Sequence, residues 1–433
     1  MEKWFILLVF LFLYGCSPKE ADTYLSPDKA NWYFREIKAI CDRDNGKLWG
    51  KNIYGPLMFV DRPTRKISSS MPDREGLLKM KEGIYSGIYP RELIIENTDV
   101  IYGGTMFGMV PLPPKEDTAR IEIRAIHGLF HCFQEVSGLQ PATFAVKLMD
   151  EKNSRLWLKL EWRALKKAII SRGEQRCQAL RDALIFRGAR REQNPTEITD
   201  ENKFEAYEGL STLTSTIFCN NSKEEAQASL LANLDRFYRF QSYSRSYGFI
   251  HGALYGWLAY EKNFDFSTIK SDTIDLAYLA KELYGIQLPV ICRDVAGSLA
   301  LGYDIGTIYN EEEQRLARIK ERIHRQISAY TEKPVVYIEL ESPYFDFEPE
   351  EIQSLDTLGT IYNSIRVSDN WGKLTVDKGG CLVSYNLKSI RIPTKNIEQS
   401  KNHITANGWH LILNDDWQMV KEDGNYFIRK VVH

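Results

Sequence analysis

Two histidines four residues apart are the residues of this sequence best placed to do chemistry. His127 and His131 stand in the segment RAIHGLFHCFQ. In an α-helix such residues lie on one face, one turn apart, and two imidazoles so placed can reach a single Zn²⁺ ion with little strain. The chain has 7 His in 433 residues, so the pairing is not a product of abundance. The alternative, two ordinary core or surface histidines, stays open because the pair alone is a weak signal.

A helix must position this pair, and the apolar residues around it predict one. Between residues 117 and 138 apolar side chains recur at spacings of three and four, which is typical of one buried helix face. Gly138 is a natural end for this helix. The positions concerned are Ile123, Ile126, Leu129, Phe130 and Phe133.

The segment resembles the zinc-binding helix of the gluzincin metallopeptidases, which reads His-Glu-x-x-His. In that family the two histidines bind zinc and the glutamate activates the attacking water. The resemblance implies a zinc cofactor, and a third ligand from a glutamate on a later helix, often within Glu-x-x-Ala or Glu-Gly-x-Ala.

Two glutamates are candidates: one matches a third-ligand pattern, and the other comes close to one, with serine in place of the alanine. Glu161 lies in Leu-Glu-Trp-Arg-Ala-Leu, and Glu208 lies in Tyr-Glu-Gly-Leu-Ser. Both stand in apolar helical surroundings, where an unpaired carboxylate is costly and a metal would satisfy it. The alternative for each is an ordinary ion pair, for example between Glu161 and an arginine of a neighbouring helix.

Further segments extend the resemblance to residues 100–430, in the order found in a group of uncharacterised bacterial exported proteins of this peptidase-like class. They include a stretch similar to Met-x-x-Pro-Leu-Pro, which here is one residue shorter (Met-Val-Pro-Leu-Pro), the histidine helix followed by x-x-Gln, and a Gly-Trp-x-Leu-x-Leu segment near the C-terminus. The corresponding residues are Met109–Pro113, Gln134 and Gly408–Leu413.

One departure from the family pattern concerns catalysis directly. Gly128 occupies the position of the catalytic glutamate. Glycine has no side chain with which to take a proton from water or give one to a leaving amine. Glu135, two helical turns beyond His127, is too distant to replace it. The sequence therefore predicts a metal shell that has lost its general base.

In an active relative a tyrosine or histidine would stabilise the oxyanion. The candidates by their place in the chain are Tyr247, His251 and Tyr255. Packing on an apolar helix is the alternative for each of them.

Three functional hypotheses follow. The first is a degenerate zinc-metallopeptidase-like protein that binds metal, has little or no peptidase activity and serves as a peptide- or protein-binding module. The second is an active zinc-dependent hydrolase with a different general base. The third is a surface-binding lipoprotein without metal, in which the histidine pair is structural.

The N-terminus predicts export and a lipid anchor. Residues 4–14 are all apolar or aromatic, which is too short for a membrane span but typical of a secretory signal. Leu13-Tyr14-Gly15-Cys16 follows and resembles the lipobox of bacterial lipoprotein precursors, whose cysteine is acylated after cleavage. We therefore expect a signal peptide at 1–15, lipidation of Cys16, a tether at 16–27, and a protein attached to the bacterial cell envelope, at the outer membrane or cell surface.

The composition limits the kinds of partner and of cysteine chemistry that we expect. The formal net charge is −2, so no nucleic-acid partner is expected. The basic run Arg187–Arg191 predicts the solvated end of a helix. Six cysteines besides Cys16 are far apart and show no CxxC pair, so both disulfides and unpaired buried thiols stay open.

The fold class expected is α+β. Helical periodicity dominates to about residue 330, and short alternating segments with glycine turns follow. This pattern predicts a mainly helical, gluzincin-like domain at 28–332 and a β-rich domain at 333–433, with a small sandwich or barrel architecture.

Overall fold

The computed structural model describes residues 24–91, 93–114, 120–141, 146–332, 334–346 and 352–431. The expected signal peptide, the lipidation site Cys16 and most of the expected tether therefore lie outside the described residues. The last tether residues, 24–27, already belong to the folded domain. The backbone N–H of Tyr24 donates to the Asp61 carboxylate at 2.9 Å, Leu25 is buried, and Ser26 caps the first helix.

Helices dominate the chain from residue 121 to residue 331. Their bounds are α1 Pro27–Asp44, α2 Ile121–Val136, α3 Lys152–Ile170, α4 Gly173–Arg191, α5 Ile198–Phe204, α6 Leu210–Phe218, α7 Lys223–Tyr238, α8 Tyr247–Glu261, α9 Leu276–Leu283, α10 Arg293–Ala300 and α11 Ile305–Thr331. Between α5 and α6, Glu205–Gly209 form a single π-helical turn, which we call the π turn. The periodicity did not predict α10.

A six-stranded sheet precedes the long helical region. Its strands are β1 Leu57–Asp61, β2 Lys66–Ser69, β3 Lys79–Lys81, β4 Ile84–Ile88, β5 Asp99–Tyr102 and β6 Thr105–Leu112. Their order is β3-β4-β2-β1-β6-β5, with β1 and β6 parallel. The sequence predicted only a short β stretch here, because β1 is buried along its whole length and β3 is exposed along its whole length. Neither strand shows the alternation that marks a half-buried strand.

The C-terminal region forms two further sheets. Their strands are β7 Val335–Glu339, β8 Tyr344–Asp346, β9 Ile352–Ser354, β10 Thr360–Tyr362, β11 Ile365–Asp369, β12 Gly372–Val376, β13 Cys381–Val383, β14 Ser389–Pro393, β15 Glu398–Ser400, β16 His403–Ala406, β17 Trp409–Leu413, β18 Trp417–Glu422 and β19 Asn425–Lys430. The orders are β18-β19-β7-β14-β13-β10-β9 and β15-β16-β17-β12-β11-β8. Val336 and Ile390 of the first sheet share one core with Val367, Leu374 and Leu411 of the second, which makes a β-sandwich. The predicted α+β class is confirmed.

The chain divides into two compact units, one ending at Glu312 and one beginning at Glu313. The boundary lies inside α11 rather than after residue 332, where the change of periodicity placed it. The last turns of α11 belong with the sandwich because Tyr330 packs in one cluster with Leu355, Ile361 and Leu382.

Two further features bear on the expectations from sequence. Within the described residues, no helix is both long enough and apolar enough to cross a membrane. The six cysteines beyond Cys16 are all unpaired, which answers the question that their spacing left open.

Candidate metal centre

The two histidines of α2 meet face to edge in the interior of the first unit. Their Nε2 atoms are 2.9 Å apart, and their ring centroids are 4.6 Å apart. His131 is 1% exposed and His127 is 8% exposed. The spacing of four residues therefore does bring both rings to one point, as the sequence predicted.

Glu208 completes the group. Its Oε2 lies 3.2 Å from Nε2 of His127 and 3.5 Å from Nε2 of His131. A tetrahedral zinc ion with ligand bonds of about 2.05 Å separates its ligand atoms by about 3.3 Å, which falls within the range of these distances. Two imidazole nitrogens and one carboxylate oxygen form the His₂Glu donor set of catalytic zinc sites. The three residues thus fit a zinc ion in type and in spacing.

The π turn is the element that brings Glu208 to the histidines. In an α-helix, residues three apart are neighbours on one face, so Glu205 and Glu208 would point the same way. The wider i→i+5 turn separates them. Glu208 contacts the histidines of α2, whereas Glu205 pairs with Arg187 of α4. Such turns occur frequently at functional sites.

Gln134 holds the inner histidine in the orientation and tautomer that metal binding needs. Its amide nitrogen donates to the carbonyls of Ala206 and Tyr207 at 3.3 and 3.1 Å. Because carbonyls only accept, this contact fixes Oε1 of Gln134 as the atom facing His131. Nδ1 of His131 therefore carries the proton and donates to that oxygen at 2.9 Å. Its Nε2 keeps a free lone pair directed at the centre of the group.

Aromatic rings and one hydroxyl enclose the histidines. Tyr207 stacks on His131 with centroids 4.2 Å apart, and Phe249 of α8 stacks on His127 at 5.8 Å. The hydroxyl of Ser211 donates to the carbonyl of Tyr207 at 2.8 Å and lies 3.1 Å from Oε1 of Gln134. These contacts limit the movement of both rings.

The electrostatics favour the protonation state that a metal requires. Burial lowers the pKa of His127, and the neighbouring His131 lowers it further, while Glu208 offsets part of this shift. Burial alone would raise the pKa of Glu208, but attraction to the two imidazoles outweighs it, so the pKa of that carboxyl is lowered. A neutral imidazole at His127 beside an ionised carboxylate at Glu208 is the combination that binds metal.

Glu161, the other candidate third ligand, lies in a different cluster. Its Oε1 accepts from Nε2 of His251 at 2.8 Å and from the hydroxyl of Tyr255 at 2.7 Å. Its carboxylate also forms ion pairs with Arg187 and Arg190 of α4 at 3.5 and 3.7 Å. The ion pair with a neighbouring helix, which the sequence left open, is therefore what the structure shows for this residue.

The three oxyanion candidates also belong to that second cluster and not to the metal group. Tyr247, His251 and Tyr255 recur every four residues along α8 and are all fully buried. The indole N–H of Trp162 donates to Nδ1 of His251 at 3.1 Å, so the His251 proton sits on Nε2 and points at Glu161. Packing on an apolar helix, the alternative that the sequence left open for each of them, is what the structure shows. The residue of α8 that contacts His127 is Phe249, which the sequence did not single out.

The basic run at the end of α4 corrects a further expectation. Arg187 and Arg190 are 3% and 2% exposed, not solvated. Arg187 forms a two-pronged ion pair with Glu205, at 3.0 and 2.6 Å, and Arg190 pairs with Glu201. The wrong prediction arose because a run of arginines shows no sign of the carboxylates that meet it from α3 and α5.

Gly128, which the resemblance places at the position of the general base, lies where two backbones approach closely. A Cβ placed on Gly128 would lie 3.6 Å from the Cα of Gly108 and from the backbone of Met109 in β6. That distance is ordinary van der Waals contact. The position of the base therefore faces β6 directly, with glycine on both sides of the contact.

No family model, curated protein or solved structure matches this chain. The geometry of the site is thus the basis for assigning a function.

Proposed function

We propose that this protein binds one zinc ion through His127, His131 and Glu208, in a peptidase-like site that has lost its general base. The observation that carries the proposal is the convergence of two Nε2 atoms and one carboxylate oxygen at zinc-like separations. Gln134 supports it independently, because it leaves the lone pair of His131 directed at the same point. A zinc ion bound there would supply Lewis acidity toward a carbonyl oxygen.

The chain's own residues bind and orient in this site but offer no base at position 128. Gly128 cannot hold a proton, so we expect binding of a peptide or protein segment rather than its cleavage. The peptide character of the ligand rests on the resemblance to the gluzincin peptidases. General acid–base groups typically contribute a factor of about 10² to 10⁴ in rate.

Zinc content tests the metal part of the proposal. The full chain, purified in detergent and dialysed against a buffer without chelator, is expected to hold about one zinc per molecule by elemental analysis. The double variant His127→Ala/His131→Ala should hold none. His324, exposed on α11, provides the control, and His324→Ala should keep the metal. Equal zinc in the double variant and the control would refute the site.

Peptide cleavage tests the catalytic part. A mixture of unstructured peptides incubated with the zinc-loaded protein should show no chelator-sensitive products by mass spectrometry. Gly128→Glu restores the family pattern and is expected to produce such products. Chelator-sensitive cleavage by the native chain would favour the active-hydrolase hypothesis instead.

We also propose that Cys16 anchors the protein to the bacterial cell envelope. Support comes from the lipobox-like segment, and one acyl chain alone gives only marginal attachment, so full lipoprotein acylation is implied. Metabolic labelling with a fatty-acid analogue should mark the native chain and spare Cys16→Ser, whereas Cys41→Ser, a buried cysteine, should remain labelled. Equal labelling of the Cys16→Ser chain would end this part of the proposal.

A further inference from the structure

The second buried cluster sits directly behind the element that carries the metal ligand Glu208. The guanidinium of Arg187, on α4, donates to both carboxylate oxygens of Glu205, at 3.0 and 2.6 Å. Glu205 is the first residue of the π turn, and Glu208 is its fourth. The ion pair is fully desolvated, since Glu205 is 0% exposed and Arg187 is 3% exposed.

The surrounding packing leaves this pair little freedom. Gly252 of α8 faces the carbonyl of Glu205 so closely that a Cβ there would lie 2.1 Å from the oxygen. Gly209, the last residue of the π turn, also faces Gly252, and a Cβ on Gly209 would lie 2.4 Å from the Cα of Gly252. The backbone of the π turn is thus pressed against α8 on one side while its first side chain is held by α4.

On its other side the π turn is tied to the histidine helix. Gln134 bonds two of its carbonyls and also His131. The π turn is therefore held from two sides. Its Glu205 side chain forms an ion pair with α4, and two of its carbonyls accept from the Gln134 amide of α2. A π turn has poorer intrinsic stability than an α-helical turn, which is why it is rare, so external contacts of this kind have to hold it.

We infer that the Arg187–Glu205 ion pair is a positioning device for the metal site: it fixes the π turn and thereby the place of Glu208, without touching the metal. This inference rests on the proposed zinc site for its functional consequence and on the geometry for its structural one. Arg187 and Glu205 are positioning residues in this scheme, and Glu208 is the ligand.

Glu205→Gln tests the inference, because it keeps the size of the side chain and removes its charge. Supporting contacts behind a metal ligand typically change metal affinity by about 10- to 100-fold, and we expect a loss of that size, measured by competition with a chromophoric zinc chelator. The visible spectrum of the cobalt-substituted protein should change as well. Arg187→Lys, which keeps the charge but loses the two-pronged contact, should show an intermediate loss.

The matched control is Glu312→Gln. Glu312 is also 0% exposed and pairs with Arg155 of α3 at 2.8 Å, but this pair is not part of the contacts that hold the π turn. Both variants should lose thermal stability, whereas only Glu205→Gln should lose zinc affinity. Equal zinc affinity in Glu205→Gln and in the native chain would overturn the inference.

A crystal structure of the metal-free Glu205→Gln chain separates this inference from the zinc proposal. We expect the π turn to relax and the contact of Glu208 Oε2 with His127 Nε2, 3.2 Å in the native chain, to be lost. An unchanged π turn and contact would overturn the inference even if zinc binds. Absence of zinc from the native chain would refute the proposed function, while the structural effect of the variant would still decide the inference.

Discussion

Gly128 and Gly108 face each other across the contact of α2 with β6, yet they tolerate a side chain differently. A Cβ on Gly128 would meet its neighbours at 3.6 Å, whereas a Cβ on Gly108 would lie 3.0 Å from the backbone of Gly128 and Leu129. A side chain at position 108 would therefore force α2 or β6 to shift by a few tenths of an ångström, whereas one at position 128 would not. At position 128 the fold therefore leaves room for the first atom of a side chain.

We predict opposite effects for Gly128→Ala and Gly108→Ala. The first should raise the free energy of unfolding by up to about 1 kcal/mol, because alanine favours a helix interior. The second should lower it by about 1–3 kcal/mol, because the extra methyl group overpacks two backbones. Chemical denaturation of both variants measures this difference. A destabilised Gly128→Ala protein would mean that position 128 has no room for a Cβ.

Some individual residues of the site could be predicted from the sequence because helix geometry places them, whereas others could not. The pairing of His127 with His131 follows from helix geometry alone. The choice between Glu161 and Glu208 could not be made from sequence, because both motifs sit on apolar helices. Gln134 stood in the motif order that carried the resemblance, yet nothing in one sequence shows which carbonyls an amide will meet.

At the scale of the elements, α8 packs closely against the π turn because α8 carries glycines at the contact. Gly248, Gly252 and Gly256 recur every four residues along α8, and a Cβ on any of them would collide with α5, the π turn or α6. This row of glycines lets two helical segments approach more closely than side chains would permit. The periodicity of α8 predicted a helix, but not the π turn that packs on it, because a single extra residue per turn leaves no compositional trace.

Gly252→Ala is therefore expected to damage the site as well as the fold. Its methyl group would lie 2.1 Å from the carbonyl oxygen of Glu205, so the π turn has to shift. We expect a loss of about 1–3 kcal/mol of stability together with weaker zinc binding, measured by thermal unfolding and chelator competition. Gly297→Ala, in α10 with no atom within 4 Å of the new Cβ, should leave zinc binding unchanged. Unaltered metal affinity in Gly252→Ala would contradict the role given to this contact.

The ion pairs of Asp275 with arginines of α4 make the stability of the protein depend on pH. Burial raises the pKa of Asp275, but Arg187 and Arg191 outweigh it and lower that pKa from 3.8 to about 2. Because the folded-state pKa is depressed, the stabilisation is present above about pH 4 and is lost as the pH falls toward 2. It amounts to about 2 kcal/mol at neutral pH.

Asp275→Asn should therefore be less stable than the native chain at pH 7 and show a smaller loss of stability between pH 5 and pH 2. Asparagine can still cap α9, where the Asp275 side chain accepts from the N–H groups of Ala277 and Tyr278, so the comparison isolates the charge. Denaturant titrations across this range measure it. Parallel pH curves for the two proteins would show that Asp275 contributes no linkage.

For the molecule as a whole, the sequence predicted the α+β class and a small C-terminal sandwich or barrel, because long helical periods and glycine-separated strands leave clear patterns. It missed most of the N-terminal sheet. In that sheet β1 is buried along its whole length and β3 is exposed along its whole length, so neither shows the alternation of a half-buried strand. The boundary between the units was also misplaced, since α11 keeps one uninterrupted helical pattern while its two ends pack in different units.

The boundary inside α11 predicts where a stable C-terminal fragment begins. A fragment of residues 313–433 keeps Tyr330, which is 4% exposed, on its partners in the sandwich, and it should unfold cooperatively. A fragment of residues 333–433 exposes that cluster and should be less stable by about 2 kcal/mol or more. Calorimetry of the two fragments measures the difference, and equal melting temperatures would place the boundary after the helix instead.

The π turn has a consequence for how this site arose. A turn with i→i+5 bonds holds one residue more than the α-helical turn it replaces. Removing one residue between Glu205 and Glu208 would restore a regular helix and rotate Glu208 away from the histidines, although all three proposed metal ligands would remain in the chain. A gain or loss of Glu208 as a ligand can therefore result from an insertion or deletion along α5 and α6, and not only from an amino-acid replacement.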